Sequence, residues 1–174
     1  MGVVVGEAKS SIGLLTLMLT ISGCISLVAP YDATFDQSLN KFSEDTAKFA
    51  ASAKVGGAER FYESKETTAY YAVSYNVLDR LSQRAARTRA SVPCPDSQGL
   101  LAFSQLQSST SPLPEDYTQF DCRESQLYSV RYYLDQLNYG HKTDGVLKPG
   151  EAQTYGGQLQ NAILGAISTF SLTK

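Results

Sequence analysis

The clearest pattern in this chain of 174 residues is a recurrence of apolar positions every three or four residues, which is typical of amphipathic helices. The first such pattern begins after two capping candidates, Asp32 and Thr34, and stops before Gly56 and Gly57. Spacings of three and four residues return to the same side of a helix, so we expect one buried face. The residues on that face are Phe35, Leu39, Phe42, Thr46, Phe49 and Ala53.

Three further long helices are predicted. The second covers residues 58–90, the third covers residues 121–139 and ends at Gly140, and the fourth has Pro149 in its first turn, where no N–H is needed. The predicted inward positions are Phe61, Ala72, Tyr75, Leu78, Leu81 and Ala85 in the second, Leu127, Val130, Leu134 and Leu137 in the third, and Tyr155, Leu159, Ile163, Ala166 and Phe170 in the last. No stretch of strand length alternates with a period of two. The prediction is therefore an all-α fold, an antiparallel bundle of four long helices.

A segment rich in proline and serine, residues 91–117, interrupts this pattern. Within it, residues 97–107 predict a short extra helix. A disulfide between Cys94 and Cys122 would pin this insertion to the start of the third helix. Closing a loop of about 29 residues would stabilise the fold by about 3.5 kcal/mol in the chain-entropy model. The alternative is two free, buried thiols.

The beginning of the chain carries an apolar run at residues 12–21. A membrane-spanning helix needs about 20 residues, so this run is too short to span but fits the apolar region of a signal peptide. Ile21-Ser22-Gly23-Cys24 follows at once and resembles the bacterial lipobox. That resemblance implies that residues 1–23 are a signal peptide and that Cys24 is acylated, which makes the lipid bilayer a partner. Residues 24–30 would then be a tether, and residues 31–174 a single helical domain.

Two other interpretations of this segment stay open. Residues 12–29 could be an uncleaved anchor, or the run could be a buried core segment. The first eleven residues carry both Lys9 and Glu7, so they lack the net positive charge usual in signal peptides. If the cell is Gram-negative, Ile25 after the cysteine resembles the outer-membrane class of lipoproteins, since Asp there retains them in the inner membrane.

Two motifs in the first mature helix extend this resemblance: Tyr31-Asp32-x-x-Phe35-Asp36 and Asp45-Thr46-x-x-Phe49. Together with Cys24 and the final segment, residues 136–167, they look like a group of small helical bacterial lipoproteins of unknown function. The insertion departs from that group. The resemblance implies a helical fold and a bacterial envelope location, and it implies no activity.

The charge balance and the absence of known motifs reduce the number of possible functions. Fifteen Lys and Arg against seventeen Asp and Glu give no basic surface, so nucleic acid is not an expected partner. The chain lacks the usual nucleophile and phosphate-binding motifs, and its one histidine is too few for the haem or di-iron sites of helical bundles. We therefore predict no catalytic residue, no metal and no cofactor. We interpret His141 as a solvated helix-end residue, with a copper or zinc ligand as the alternative.

The end of the second helix holds four arginines: Arg80, Arg84, Arg87 and Arg89. They predict either a solvated end that complements the helix dipole or a patch for anionic lipid headgroups.

Tyrosines form two bands at helical spacing: Tyr70, Tyr71 and Tyr75 on the second helix, and Tyr128, Tyr132, Tyr133 and Tyr139 on the third. A band of this kind is either an amphipathic packing rim or a recognition face, because aromatic rings with polar tips are favoured at interfaces.

The resulting prediction is a membrane-anchored envelope lipoprotein that is not an enzyme and serves as an accessory, scaffold or adaptor protein, with another envelope protein as a candidate partner. The alternative is a periplasmic binding or inhibitor module that uses the tyrosine-rich face. An enzyme whose site follows no known motif is a third, weaker hypothesis.

Overall fold

The computed structural model describes residues 32–89 and 117–171, and this part of the chain is helical. Its α-helices are α1 (Ala33–Lys54), α2 (Lys65–Arg87), α3 (Cys122–Asp144) and α4 (Pro149–Ser171), with short 3-10 turns at Ala58–Arg60 and Tyr117–Gln119. The described residues form no strand, only an isolated antiparallel bridge between Phe61 and Val146. The predicted all-α class is confirmed, as is Pro149 at the start of a helix.

Several sequence predictions lie outside the described residues: the signal peptide, acylated Cys24 and its tether, Cys94, and the short helix at residues 97–107. Cys122 is described and is the first residue of α3. Its pairing with Cys94 stays a prediction.

Side chains just before three helices explain where these helices begin. The carboxylate of Asp32 accepts a hydrogen bond from the Thr34 N–H at 2.9 Å, which selects Asp32 as the cap of α1. The Ser64 hydroxyl accepts from the Thr67 N–H and starts α2. Asp121 forms a capping box at α3, in which its carboxylate accepts backbone N–H bonds and the third helical residue bonds back. Each cap satisfies N–H groups that have no partner within the helix.

Helix α2 is shorter than predicted, because residues 58–64 form a connection that contains a 3-10 turn, Ala58–Arg60, instead of a turn of α-helix. The backbone of this connection is bonded to the loop between α3 and α4: Tyr62 N–H donates to the Gly145 carbonyl, and Leu147 N–H donates to the Arg60 carbonyl at 2.8 Å. These bonds compete with the i to i−4 bonds that a helix would need. The prediction that α2 begins at residue 58 is wrong.

Helix α3 is longer than predicted, and its end is moved from Gly140 to Asp144. The stop is Gly145, which has a φ of +68° and so adopts the left-handed conformation that favours glycine. The connection between α3 and α4 therefore consists only of residues 145–148.

The inward faces predicted for α1 and α3 are confirmed in full, and in α4 Leu159, Ile163, Ala166 and Phe170 are buried. Phe35 at the start of α1 stacks on Phe170 at the end of α4 with ring centroids 4.4 Å apart. A Cβ at Gly156 would lie 2.8 Å from the Ala50 Cβ, so this glycine allows α4 to approach α1 closely. Helix α1 packs against α4 and α2, and α3 packs against the same two helices.

The inward face of α2 was predicted only in part. Leu78, Leu81 and Ala85 are buried, but Phe61 is 51% exposed and Ala72 is also exposed. The residues that point inward in the first half of α2 are Thr67, Tyr71 and Ser74.

A buried ionic cluster joins the end of α2 to the start of α3. Arg123 is almost fully buried and is paired with Asp121 at 2.9 Å, and it also donates to the Thr88 carbonyl. Its guanidinium lies over the Phe35 ring, 5.9 Å from the centroid. Arg89 is bound by Glu124 at 2.8 Å in the same cluster.

None of the helices in residues 32–89 and 117–171 combines the length and the hydropathy needed to cross a bilayer.

Candidate functional site: the groove between helices α1 and α2

A surface groove lies between α1 and α2, and side chains of both helices line it. It consists of two adjoining cavities of about 530 and 510 Å³. Ser38, Val77 and Arg80 line both cavities, so the two form one continuous groove. Volumes of 300 to 1,000 Å³ are typical of small-molecule sites, about the size of either cavity. We call this feature the α1–α2 groove.

Tyr70 lines the apolar cavity of the α1–α2 groove and joins the two helices. Its hydroxyl lies 3.0 Å from the Thr46 hydroxyl on α1, and its ring stacks on Phe49 at 4.0 Å. Burial raises the pKa of Tyr70 to about 12, so the phenol stays protonated and able to donate. Tyr70 therefore ties α2 to α1 inside the groove.

Among the α2 side chains that line the groove, one row changes from apolar to charged along the helix. We call it the α2 stripe; its members are Ala69, Val73, Val77, Arg80, Arg84 and Arg87. The spacings of three and four residues keep the row on one side of the helix. Its first half is apolar and its second half is cationic. Val73 is 55% exposed, and buried Phe42 lies across from it on α1.

The cationic half of the α2 stripe meets the beginning of α1. Arg84 donates from Nε to the Asp32 carboxylate. Burial alone would raise the pKa of Asp32, but the hydrogen bonds from Arg84 and from the Thr34 N–H lower it overall, so this carboxyl stays ionised. Arg80 and Arg87 are exposed, whereas Arg89 belongs to the buried cluster with Glu124. The predicted arginine patch therefore comprises three arginines instead of four.

His141 is fully buried, so its interpretation as a solvated helix-end residue is wrong. Its Nε2 lies 3.0 Å from the Arg60 carbonyl, and because a carbonyl only accepts, Nε2 carries the proton. Its Nδ1 then accepts from the Tyr71 hydroxyl at 3.2 Å. Burial lowers the pKa of His141, which favours the neutral ring. Among the described residues, no three His, Cys, Asp or Glu side chains are grouped so that they could hold a metal ion.

The tyrosines do not share one surface. Tyr71 is only 5% exposed and its hydroxyl is turned to His141, so it cannot belong to a recognition face and that part of the prediction is wrong. Tyr70 lines the α1–α2 groove. Tyr75 donates to Asp135 at 2.8 Å and joins α2 to α3. The remaining members of the predicted face, Tyr128, Tyr132 and Tyr133, are half-buried on α3, and their role in recognition stays a prediction.

The α1–α2 groove was missed by reasoning from the sequence alone. A signal existed, since Ala69, Val73 and Val77 continue into Arg80, Arg84 and Arg87 at helical spacing. Only the separation of α1 from α2 turns that row into the wall of a groove.

Comparison with protein-family models, with curated proteins and with solved structures finds no match to this chain.

Proposed function

We propose that this chain is a lipid-anchored protein of the bacterial envelope that acts by binding, as an accessory or adaptor, with the α1–α2 groove as its binding site. The observation that carries this proposal is the groove itself: an apolar wall left open by the packing of two helices and bordered by arginines. A concave apolar site with a few polar groups at its edge is the usual form of a binding site in proteins.

The anchor is supported by the apolar run at residues 12–21 and by the lipobox-like sequence that ends at Cys24. Asp32 caps α1 and is bound to Arg84, so the tether would join the helical domain beside the arginine end of the groove. Eight residues, 24–31, reach at most about 28 Å when extended. An acylated Cys24 would thus hold the arginines near the membrane surface.

We infer that the four helices form an antiparallel bundle and that a Cys94–Cys122 disulfide pins the insertion to it. The direction of neighbouring helices is supported by contacts that join the start of one helix to the end of the next. Phe35 lies on Phe170 between α1 and α4, and Arg89 binds Glu124 between α2 and α3. Peptide mapping under non-reducing conditions tests the disulfide, and recovery of both cysteines as free thiols would contradict it.

Recognition of another envelope protein through the tyrosine face is the second candidate. The Tyr75 hydroxyl donates to Asp135 and accepts from Asn138 across α2 and α3, which would hold aromatic and polar groups rigidly at the surface. The loss of Tyr71 from this face makes the groove the better supported site.

The anchor is tested by the Cys24→Ser variant in cells fed a clickable fatty acid. We expect the wild type to carry the label and to sediment with membranes, and the variant to lose the label and keep residues 1–23. The matched control is Cys94→Ser, which leaves the lipobox intact and should be labelled like the wild type. Equal labelling of Cys24→Ser and wild type would refute the anchor.

A further inference from the structure

We propose that the α1–α2 groove binds a single-chain lipid with an anionic headgroup, taken up from the membrane. The acyl chain would lie along the apolar half of the α2 stripe, and the headgroup would lie among its arginines. This inference names the ligand class of the binding site proposed above and rests on that proposal.

The size of the groove favours one acyl chain over a partner helix. From Ala69 to Arg80 the α2 stripe spans about 16 Å, at a rise of about 1.5 Å per residue. A helix is about 10–12 Å across with its side chains, so over this length it would occupy roughly 1,500 Å³. The apolar cavity holds about 530 Å³. This is a path for a single flexible apolar chain.

The apolar wall supplies the attraction for such a chain. Val73 is more than half exposed, and Val77 and the edge of Phe42 continue the same surface toward α1. In the free protein this apolar area is in contact with water. An acyl chain would remove it from water at a gain roughly proportional to the area covered.

The charge distribution favours an anion at the opposite end. Among the described residues, the one carboxylate bonded to Arg80, Arg84 or Arg87 is that of Asp32, which Arg84 binds. The C-terminus of α2 adds a negative partial charge of about half an elementary charge, which does not cancel the two remaining guanidiniums. Within the described residues neither Arg80 nor Arg87 has a carboxylate partner; Arg80 donates only to the Asn76 carbonyl.

The apolar end of the groove has the opposite balance of charge. Lys41 is paired with Asp45 at 3.1 Å, and Glu66 adds one further negative charge. A carboxylate or phosphate headgroup would be repelled at this end and attracted at the arginine end. The groove therefore has the polarity of an anionic amphiphile, with one orientation favoured.

The test uses the full chain and two photoreactive probes of equal length, hexadecanoic acid and hexadecanol. We expect the acid to bind and its crosslinks to map to the α2 stripe. The Arg80→Gln/Arg87→Gln variant should bind the acid about tenfold more weakly and the alcohol within about twofold of the wild type. Val73→Asp should weaken both probes, because it places a charge in the path of the chain.

Matched controls separate these effects from damage to the fold. Lys54→Gln/Lys142→Gln removes two exposed cations outside the groove, and Leu164→Asp changes an apolar residue of α4 that is 50% exposed. Both controls should bind the acid like the wild type. Circular dichroism and the melting temperature of every variant show whether it is folded, and Val77→Gln replaces Val73→Asp if that variant is not.

Other outcomes overturn the proposal. Equal affinity for acid and alcohol in the wild type and in the arginine variant would show an apolar site without selectivity for charge. Crosslinks outside the groove, or displacement of the acid only by an acidic amphipathic peptide, would identify a different occupant. Stronger binding of the acid by Cys24→Ser than by the acylated wild type would indicate that the groove holds the protein's own acyl group.

The purified chain binds or fails to bind these probes whether or not Cys24 is acylated in cells. Failure of the lipid proposal is therefore distinguishable from failure of the anchor, which is measured separately by metabolic labelling.

Discussion

The hydroxyl of Tyr71 provides a sharp test of the packing around His141. It lies 3.2 Å from the Nδ1 atom of His141 and 3.4 Å from the Leu137 carbonyl, and all of these groups are buried. Tyr71→Phe removes this one oxygen and keeps the ring that packs edge-on against Phe49. Because the shape of the core is preserved, the variant isolates the hydrogen bond from the packing.

The expected cost follows from what the deletion leaves behind. Nε2 of His141 is committed to the Arg60 carbonyl, so Nδ1 would have no donor from Tyr71 and no water at a fully buried site. A buried polar group that loses its partner costs about 1–3 kcal/mol. For a domain of this size each kcal/mol lowers the melting temperature by about 2–4 °C, so we expect a decrease of about 2–12 °C.

Urea unfolding at pH 7.5, followed by circular dichroism, measures this cost directly. The matched control is Tyr139→Phe, which removes the same oxygen from a side chain that is 57% exposed and should change the free energy of unfolding by less than about 0.5 kcal/mol. A double-mutant cycle with His141→Gln should show a coupling of at least about 0.5 kcal/mol. Equal stability of Tyr71→Phe and Tyr139→Phe would refute the hydrogen-bond assignment.

Three further perturbations test other parts of the fold. Burial lowers the pKa of His141 from its ordinary value of 6.5, so below about pH 6.5 the unfolded chain binds more protons than the folded chain. The free energy of unfolding should therefore be constant above about pH 6.5 and fall as the pH drops below it. In urea titrations, His141→Gln should reduce this dependence on pH. Asp121→Ala leaves the buried Arg123 without its paired carboxylate and should cost about 3–5 kcal/mol in thermal unfolding. Asp79→Ala breaks an exposed pair and should cost less than about 1 kcal/mol. Similar costs for the two variants would contradict the burial of the Asp121–Arg123 pair. Gly145→Ala forces a side chain into a left-handed backbone conformation and should cost about 1 kcal/mol in thermal unfolding. An unchanged stability would rule out the left-handed conformation at residue 145.

The helical class and most of the core followed from local pattern. In α1 the inward positions alternate by four and three residues, which matches the helical period closely, and large apolar side chains occupy four of the six. Burial of such a face is the main gain a helix makes on folding, so the pattern alone identifies it. Asp32, one of the two predicted caps of α1, followed for the same reason, because it bonds to an N–H only two residues away. Ser64, the cap of α2, was missed.

Helix α2 shows where pattern reading failed. Its true inward face, from Thr67 through Tyr71 and Ser74 to Leu78, has the same spacing as that of α1 but carries small polar and aromatic residues in its first half. The predicted face instead followed Ala72, Tyr75 and Leu78 in steps of three. Steps of three fall short of the 3.6-residue period, so that row drifts around the helix. Its last member, Leu78, lies on the buried face, whereas Ala72 is exposed.

The sequence by itself determined that this chain makes amphipathic helices, which faces of three of them are buried, and where most of them begin, because these properties depend on neighbours within one or two turns. The tertiary structure decided that His141 is buried against Tyr71, that Tyr71 is withdrawn from the surface, and that α1 and α2 separate to leave a groove. Each of these depends on residues far apart in the chain. The distance between two helices is set by the side chains of all their neighbours together, and no local pattern encodes it.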